Sequence, residues 1–109
     1  MRTTKNIFLM AAIGLIVSSC ATIKLSPGGE KVRVLAPDEV SSCKKLGKTN
    51  SSVVDKIIGK RPVEAIEFEL TTLSRNSAAK MGGDTIVPLT VIEAGKQSFI
   101  VYKCINPDG

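Results

Sequence analysis

The fold is decided by residues 62–83, which read PVEAIEFELTTLSRNSAAKMGG. Apolar or small side chains recur there at intervals of three and four residues, the spacing of one face of an α-helix. This stripe consists of Val63, Ile66, Leu70, Leu73, Ser77 and Met81. Pro62 fits the first helical position, where a missing N–H costs nothing, and Gly82 with Gly83 supplies a left-handed stop. The pattern predicts a helix from Pro62 to about Met81 whose stripe faces the core.

The chain before this helix predicts two strands. Residues 31–35 alternate polar and apolar side chains, which is typical of a half-buried strand. Residues 42–48 form the second predicted strand, with Cys43 and Leu46 among its candidate buried positions. Residues 49–61 are mostly polar and basic, and they read as a loop or as an extension of that strand.

The chain after the helix predicts two further strands. Residues 85–92 and 98–104 are rich in β-branched and aromatic residues, and Ala94-Gly95-Lys96 separates them as a hairpin turn. Because Pro88 has no N–H to donate, its strand is expected to lie at an edge or to be bulged. The sequence therefore predicts an α+β fold: a small four-stranded sheet in the order β-β-α-β-β, with one helix packed on one face.

The N-terminus predicts export. Arg2 and Lys5 precede an apolar run at residues 7–17, which is typical of a secretory signal and too short for a transmembrane helix. The following Val17-Ser18-Ser19-Cys20 resembles the bacterial lipobox, in which the cysteine is acylated, for example with palmitate, and the chain is cut just before it. The alternative is an ordinary signal peptide with an incidental cysteine.

A lipobox implies a domain organisation and a location. Residues 1–19 become the signal peptide, 20–30 the lipidated Cys20 and a tether, and 31–109 the α+β domain. Because Ala21 rather than Asp follows the cysteine, the resemblance implies an outer-membrane lipoprotein facing the periplasm in a Gram-negative host. Stable anchoring requires about two membrane signals, which two or three acyl chains supply, so the expected partner is the membrane itself.

The amino-acid composition argues against two classes of function. The 109 residues include 15 basic and 10 acidic side chains, with no His and no Trp, so His-based catalysis is excluded. Cleavage before Cys20 removes two basic residues and no acidic one, which lowers the net charge from +5 to +3. This charge and the scarcity of aromatic residues argue against nucleic acid as a partner.

Two cysteines remain in the exported domain. An oxidising compartment with two thiols in a small domain favours one Cys43–Cys104 disulfide, which would join the second strand to the last. A zinc site would need two more ligands without histidine, and a redox pair would lack the close spacing of CxxC. No metal or other cofactor is expected.

Several blocks of the chain resemble the bacterial lipoproteins grouped as domain-of-unknown-function family 4156. They are Cys20, residues 25–34 (LSPGGEKVRV), 43–47 (CKKLG), 73–85 (LSRNSAAKMGGDT) and 101–104 (VYKC). The resemblance implies architecture and location but no activity. A more distant similarity is to the Rcs-type outer-membrane lipoprotein that senses envelope stress. This chain departs from it in having two domain cysteines rather than four and no long Pro-rich segment.

Two groups of polar residues are candidate binding sites. Arg75, Asn76 and Asp84 at the helix end form either a polar binding spot or a purely structural set, in which Asn76 bonds nearby backbone. A basic group between Cys43 and the helix is either a solvated surface or a docking surface for anionic lipid, lipopolysaccharide or an acidic protein. Its members are Lys44, Lys45, Lys48, Lys56, Lys60 and Arg61. Adjacent Lys44 and Lys45 are expected on opposite faces of a strand, and so not in one patch.

No nucleophile elbow, S-x-x-K motif or phosphate loop is present in the sequence. We therefore expect a non-catalytic envelope lipoprotein that is structural or binds an envelope protein partner. The alternative expectation is a lipoprotein that senses envelope stress and signals it.

Overall fold

The computed structural model describes residues 23–54 and 61–108. The predicted signal peptide, Cys20, Lys56 and Lys60 lie outside these ranges. The elements are β1 (Arg33–Val34), β2 (Lys44–Ser52), α1 (Val63–Lys80), β3 (Thr85–Pro88) and β4 (Lys96–Lys103). Two short 3-10 turns, Gly29–Lys31 and Pro37–Glu39, precede β1 and β2 respectively.

The four strands form one mixed sheet in the order β1-β3-β4-β2. β1 pairs with β3 in parallel, and β4 pairs antiparallel with both β3 and β2. The helix α1 connects the edge strand β2 to the inner strand β3, and it packs against β2, β3 and β4 on one face of the sheet. Within the described residues, the predicted α+β fold, its β-β-α-β-β order and the one helix packed on the sheet are confirmed.

The helix begins and ends close to the predicted residues. Pro62 is in an extended conformation just before the first helical residue, so the helix begins one residue later than predicted. At the other end Gly82 has a φ of 81°, which only glycine adopts without cost. The N–H groups of Gly82 and Gly83 donate to the carbonyl oxygens of Ala79 and Ala78, forming a Schellman motif. The predicted left-handed stop is confirmed.

The buried side of α1 differs in part from the predicted stripe. Ile66 and Leu70 are buried as predicted, but Val63 is 56% exposed and Met81 is 40% exposed. Ser74 and Ala78 are buried in their place. The prediction was wrong at both ends of the helix because it followed the largest apolar residues, whereas small side chains let the helix lie close to the sheet.

The hydrophobic core lies between α1 and the sheet. Its central cluster contains side chains from the segment before β1, from the helix and from the two inner strands: Val32, Ala78, Ile86, Phe99 and Val101. Each of these side chains is at most 2% exposed. The sheet and the helix thus enclose one small apolar core, as the size of the chain requires.

The strand bounds correct four expectations. β1 has only two residues instead of residues 31–35, because the chain before it forms a 3-10 turn. β2 begins later than predicted and runs to Ser52, so part of the ambiguous 49–61 segment is a strand extension. The strand predicted over 85–92 ends at Pro88, and β4 begins at Lys96, two residues before the predicted 98.

Pro88 is neither on an edge strand nor at a bulge, so that prediction was wrong. β3 lies between β1 and β4, and the carbonyl oxygens of Asp84 and Ile86 accept hydrogen bonds from Arg33 and Leu35 on its β1 side. Alternation turns the nitrogen of Pro88 to that same side, past the last residue of β1. The missing donor therefore faces a position where there is no strand to receive it.

The hairpin between β3 and β4 closes at the predicted turn. Glu93 and Lys96 exchange backbone hydrogen bonds around Ala94 and Gly95, whose φ angles are 50° and 71°. Two positive φ values in a two-residue loop are the signature of a type I′ turn, which matches the twist of the strands.

Candidate functional site

A disulfide closes one end of the sheet. Cys43 lies directly before β2, and Cys104 directly after β4. The last paired residues of these strands are Lys44 and Lys103, so the cysteines extend the ladder by one position, with their Cα atoms 4.3 Å apart. The predicted Cys43–Cys104 disulfide and its role in joining the second strand to the last are confirmed.

The carboxylate of Asp84 holds the same end of β4. Its Oδ1 accepts hydrogen bonds from the N–H of Cys104 and the hydroxyl of Thr85, at 2.8 and 2.9 Å, and its Oδ2 accepts one from the N–H of Ile105 at 2.8 Å. Asp84 follows the glycines that end α1 and precedes β3. One side chain therefore links the helix end, β3 and the segment that carries the disulfide.

The pKa of Asp84 lies below its ordinary value. Partial burial of the carboxyl raises the pKa, but the two N–H donors of Cys104 and Ile105 lower it, as do the Thr85 hydroxyl and the positive charge of Arg33. Hydrogen bonds to the charged form outweigh burial here. The folded protein therefore stabilises the ionised form of the Asp84 carboxyl.

Arg75 and Asn76 bind the segment that precedes β1. The Oδ1 of Asn76 accepts from the N–H of Ser26 at 2.8 Å, and its Nδ2 donates to the carbonyl of Lys24 at 2.9 Å. Arg75 donates to the carbonyls of Val32 and Glu30 at 2.8 and 3.1 Å. Part of the predicted tether is therefore fastened along α1.

Gly29 shows how closely this segment approaches the helix. A Cβ at that position would collide with Oδ1 of Asn76 and would crowd Leu25 and Ser26. The residue is buried, and its N–H donates to the hydroxyl of Ser26 at 3.0 Å. Only glycine fits between the turn and Asn76.

The three residues of the predicted binding spot have structural partners. The hydrogen bonds of Arg75 and Asn76 go to backbone of residues 24–32, and those of Asp84 go to Thr85 and to backbone after β4. Arg75 donates to main-chain carbonyls in these bonds, so a ligand at this position would compete with them. A binding role for the three residues stays a prediction, and the bonds favour the structural interpretation.

Sequence reasoning missed a polar contact between the helix and the sheet. The hydroxyls of Ser51 on β2 and Ser74 on α1 lie 2.6 Å apart, and both residues are buried. Each hydroxyl satisfies the other, so the burial of both is tolerated. The signal available in the sequence was a serine at the four-residue helical spacing from Leu70 and Ala78.

In the structure, the described members of the predicted basic group lie in two places. Arg61 forms an ion pair with Glu69 and also donates to the carbonyl of Val54. Lys44, Lys45 and Lys48 lie on β2 and are exposed. Among the described residues, no group of three or more His, Cys, Asp or Glu side chains is placed to hold a metal ion. Over the same part of the chain, no helix combines the length and hydropathy that crossing a membrane requires.

We expect Asn76→Ala to lower the free energy of unfolding by about 1–2 kcal/mol, since it leaves the Ser26 amide and the Lys24 carbonyl without their partner. The exchange of the Ser26 amide with solvent should also accelerate. Urea unfolding and hydrogen exchange measure the two effects. Asn50→Ala is the matched control, since exposed Asn50 bonds only the Ser98 hydroxyl, and a change within about 0.5 kcal/mol is expected. Equal unfolding of both variants would contradict the role given to Asn76.

Fold and site together define a small disulfide-bonded α+β domain with its N-terminal segment fastened to its helix. Residues 23–104 match the family model described as Domain of unknown function (DUF4156), and the chain belongs to this family. The match begins one residue before Lys24, where the fastened segment starts, and ends at the second cysteine of the disulfide. Searches of curated proteins and of solved structures return no match.

Proposed function

We propose that the chain is a non-catalytic lipoprotein of the cell envelope, anchored through acyl chains on Cys20, that serves as a structural or protein-binding module. The observation that carries the proposal is Val17-Ser18-Ser19-Cys20 after a basic start and a short apolar run. The Cys43–Cys104 disulfide supports it, since such bonds persist in oxidising compartments such as the periplasm.

The attachment of the N-terminal segment to α1 limits how far the domain can lie from an acylated Cys20. Asn76 holds the carbonyl of Lys24, so only residues 21–23 separate Cys20 from a point fixed on α1. Four residue steps span at most about 14 Å. An acylated Cys20 would hold the domain against the bilayer surface instead of at the end of a long stalk.

The proposal is tested by the mass of the N-terminal peptide after expression in a Gram-negative host. We expect the peptide to begin at Cys20 with the added mass of its acyl chains, and the protein to sediment with outer membranes. Ala21→Asp is the matched variant, which should keep the acyl mass but move the protein to inner membranes. A chain that starts elsewhere, or a Cys20 without acyl groups, would refute the proposal.

A stress-sensing lipoprotein is the second candidate. It is favoured by the position of the disulfide, whose two cysteines are only half-buried at the end of the sheet, within reach of a reductant. A sensor should change a downstream envelope response when Cys43→Ser removes the bond while the domain stays folded. A folded variant with an unchanged response leaves the structural module as the function.

A further inference from the structure

The two faces of the sheet differ in what covers them. Phe99 and Val101 of β4 pack in the core with Ala78 of α1. Successive side chains of a strand point to opposite faces, so Ile100 and Tyr102 lie on the face that is turned away from the helix. Both are half-buried.

A β-bulge in β2 brings two lysines onto this outer face. Lys45 lies opposite Tyr102 and Lys48 opposite Ile100, with a register shift between Lys45 and Gly47. In a regular strand, residues three apart point to opposite faces. The extra residue of the bulge restores Lys48 to the face of Lys45, which is the kind of re-aiming that bulges provide. The expectation of opposite faces concerned the adjacent Lys44 and Lys45, which pair with Lys103 and Tyr102 before the bulge and do point to opposite faces.

The outer face is positively charged. Lys96, opposite Ser52 at the other end of the ladder, shares the parity of Ile100 and Tyr102 along β4. We name Lys45, Lys48, Lys96, Ile100 and Tyr102 the lysine face. Its three lysines are exposed, and none of the four strands contains an acidic residue. The exposed Glu93 pairs with Lys96 across the hairpin turn and so lies on the same face, which leaves the excess positive charge at Lys45 and Lys48. The helix on the opposite side carries the acidic residues Glu64, Glu67 and Glu69.

The dimensions and chemistry of the lysine face suit a membrane surface. At about 3.3 Å per residue, Lys45 and Lys96 are separated by roughly 20 Å along the sheet. Lysine is a compact point charge on a flexible stem, which suits phosphates that are not held in one geometry. Tyr102, between an apolar neighbour and the cations, has the amphipathic ring that is enriched at bilayer interfaces.

We propose that the lysine face docks onto the anionic lipid headgroups of the membrane that holds the chain. The inference rests on the proposed anchor at Cys20, because the short connection to Lys24 keeps the domain within reach of that surface. Basic residues near an anionic leaflet each contribute to such docking, and salt screens the attraction. The headgroup phosphates pair with Lys45, Lys48 and Lys96 while Tyr102 lies at the level of the headgroups.

Tyr102 reports on this docking without any label, since the chain contains one Tyr and no Trp. The isolated full chain is reconstituted into vesicles of phosphatidylcholine alone and of an equal mixture with phosphatidylglycerol. Acrylamide quenching of tyrosine emission is then compared between the two. We expect Tyr102 to be shielded in the anionic vesicles only, and the shielding to disappear in high salt.

The variant Lys45→Gln/Lys48→Gln should lower the equilibrium constant for docking about 25-fold, because each basic residue near an anionic surface contributes a similar free energy and this variant removes two. The matched control Lys31→Gln/Lys80→Gln removes the same charge from exposed positions off the lysine face and should leave the shielding almost unchanged. Circular dichroism of both variants verifies that they are folded.

Equal quenching in both vesicle types, or an equal effect of the two double variants, would overturn the proposal. No shielding in anionic vesicles, together with crosslinking in cells to an acidic protein that Lys45→Gln/Lys48→Gln abolishes, would indicate a protein partner and would overturn it as well. The mass of the N-terminal peptide, measured on the same samples, distinguishes a failure of the proposed anchor from a failure of the proposed docking. A chain without acyl groups refutes the anchor, while salt-sensitive shielding on its addition to anionic vesicles would still support the lysine face.

Discussion

Removing the disulfide with Cys43→Ser/Cys104→Ser should lower the free energy of unfolding by about 4 kcal/mol. The bond joins residues 61 apart in sequence, and a loop of that length carries a large closure entropy in the unfolded chain. Small domains have a total stability near the lower end of about 5–15 kcal/mol. The bond is therefore expected to supply a large share of the stability, and the variant should be partly unfolded at 37 °C.

Urea unfolding of the oxidised protein and of the double variant measures this loss. Reduced wild-type protein is the control, because it lacks the same cross-link with both thiols retained, and its unfolding midpoint should match that of the variant. If the variant unfolds at the urea concentration of the oxidised protein, the disulfide contributes no stability and its structural role is refuted.

Asp84→Asn should lower the free energy of unfolding by about 2 kcal/mol at neutral pH. The amide keeps the size of the side chain but loses the charge that strengthens its bonds to the Cys104 and Ile105 amides and to the Thr85 hydroxyl. Asp38→Asn, at an exposed position in a 3-10 turn, is the matched control and should change stability by no more than about 0.5 kcal/mol.

The contribution of Asp84 also has a defined pH dependence. The folded pKa is lower than the unfolded one, which is about 3.9, so the folded state favours the carboxylate. The stabilisation is thus complete above the unfolded pKa and is lost as pH falls through the folded pKa. The difference in stability between wild type and Asp84→Asn should shrink on acidification below about pH 4. A difference that stays constant to lower pH would contradict this assignment.

The disulfide and Asp84 hold the same segment, so their effects should not be additive. The amide of Cys104 donates to Asp84 while its sulfur is bonded to Cys43. Residues that share one contact network usually couple by 0.5 kcal/mol or more. Without the disulfide, the end of β4 frays more easily, and Asp84→Asn should then cost less than it does in the oxidised protein.

Local signals predicted the elements whose cause is local. The helix, its Schellman end at Gly82 and the turn at Ala94-Gly95 depend on residues close together in sequence, and all three were predicted correctly. The buried side of the helix was predicted only in part: the four-residue spacing aligns Ser74 with Leu70 and Ala78, but its hydroxyl contact with Ser51 on β2 has no local signal. That contact joins residues 23 apart, and helical spacing carries no information about it.

The residues of the candidate site also divide into those that local sequence predicted and those whose contacts join distant parts of the chain. The sequence by itself determined the pairing of the two domain cysteines, since two thiols in a small domain leave few options, and it determined the lipobox-like Cys20 whose acylation we propose. Only the tertiary structure decided that Asn76 and Arg75 fasten the N-terminal segment and that a bulge aligns Lys45 with Lys48. The first depends on contacts about fifty residues apart, and the second on one extra residue in the ladder, which reverses the face of every side chain after it.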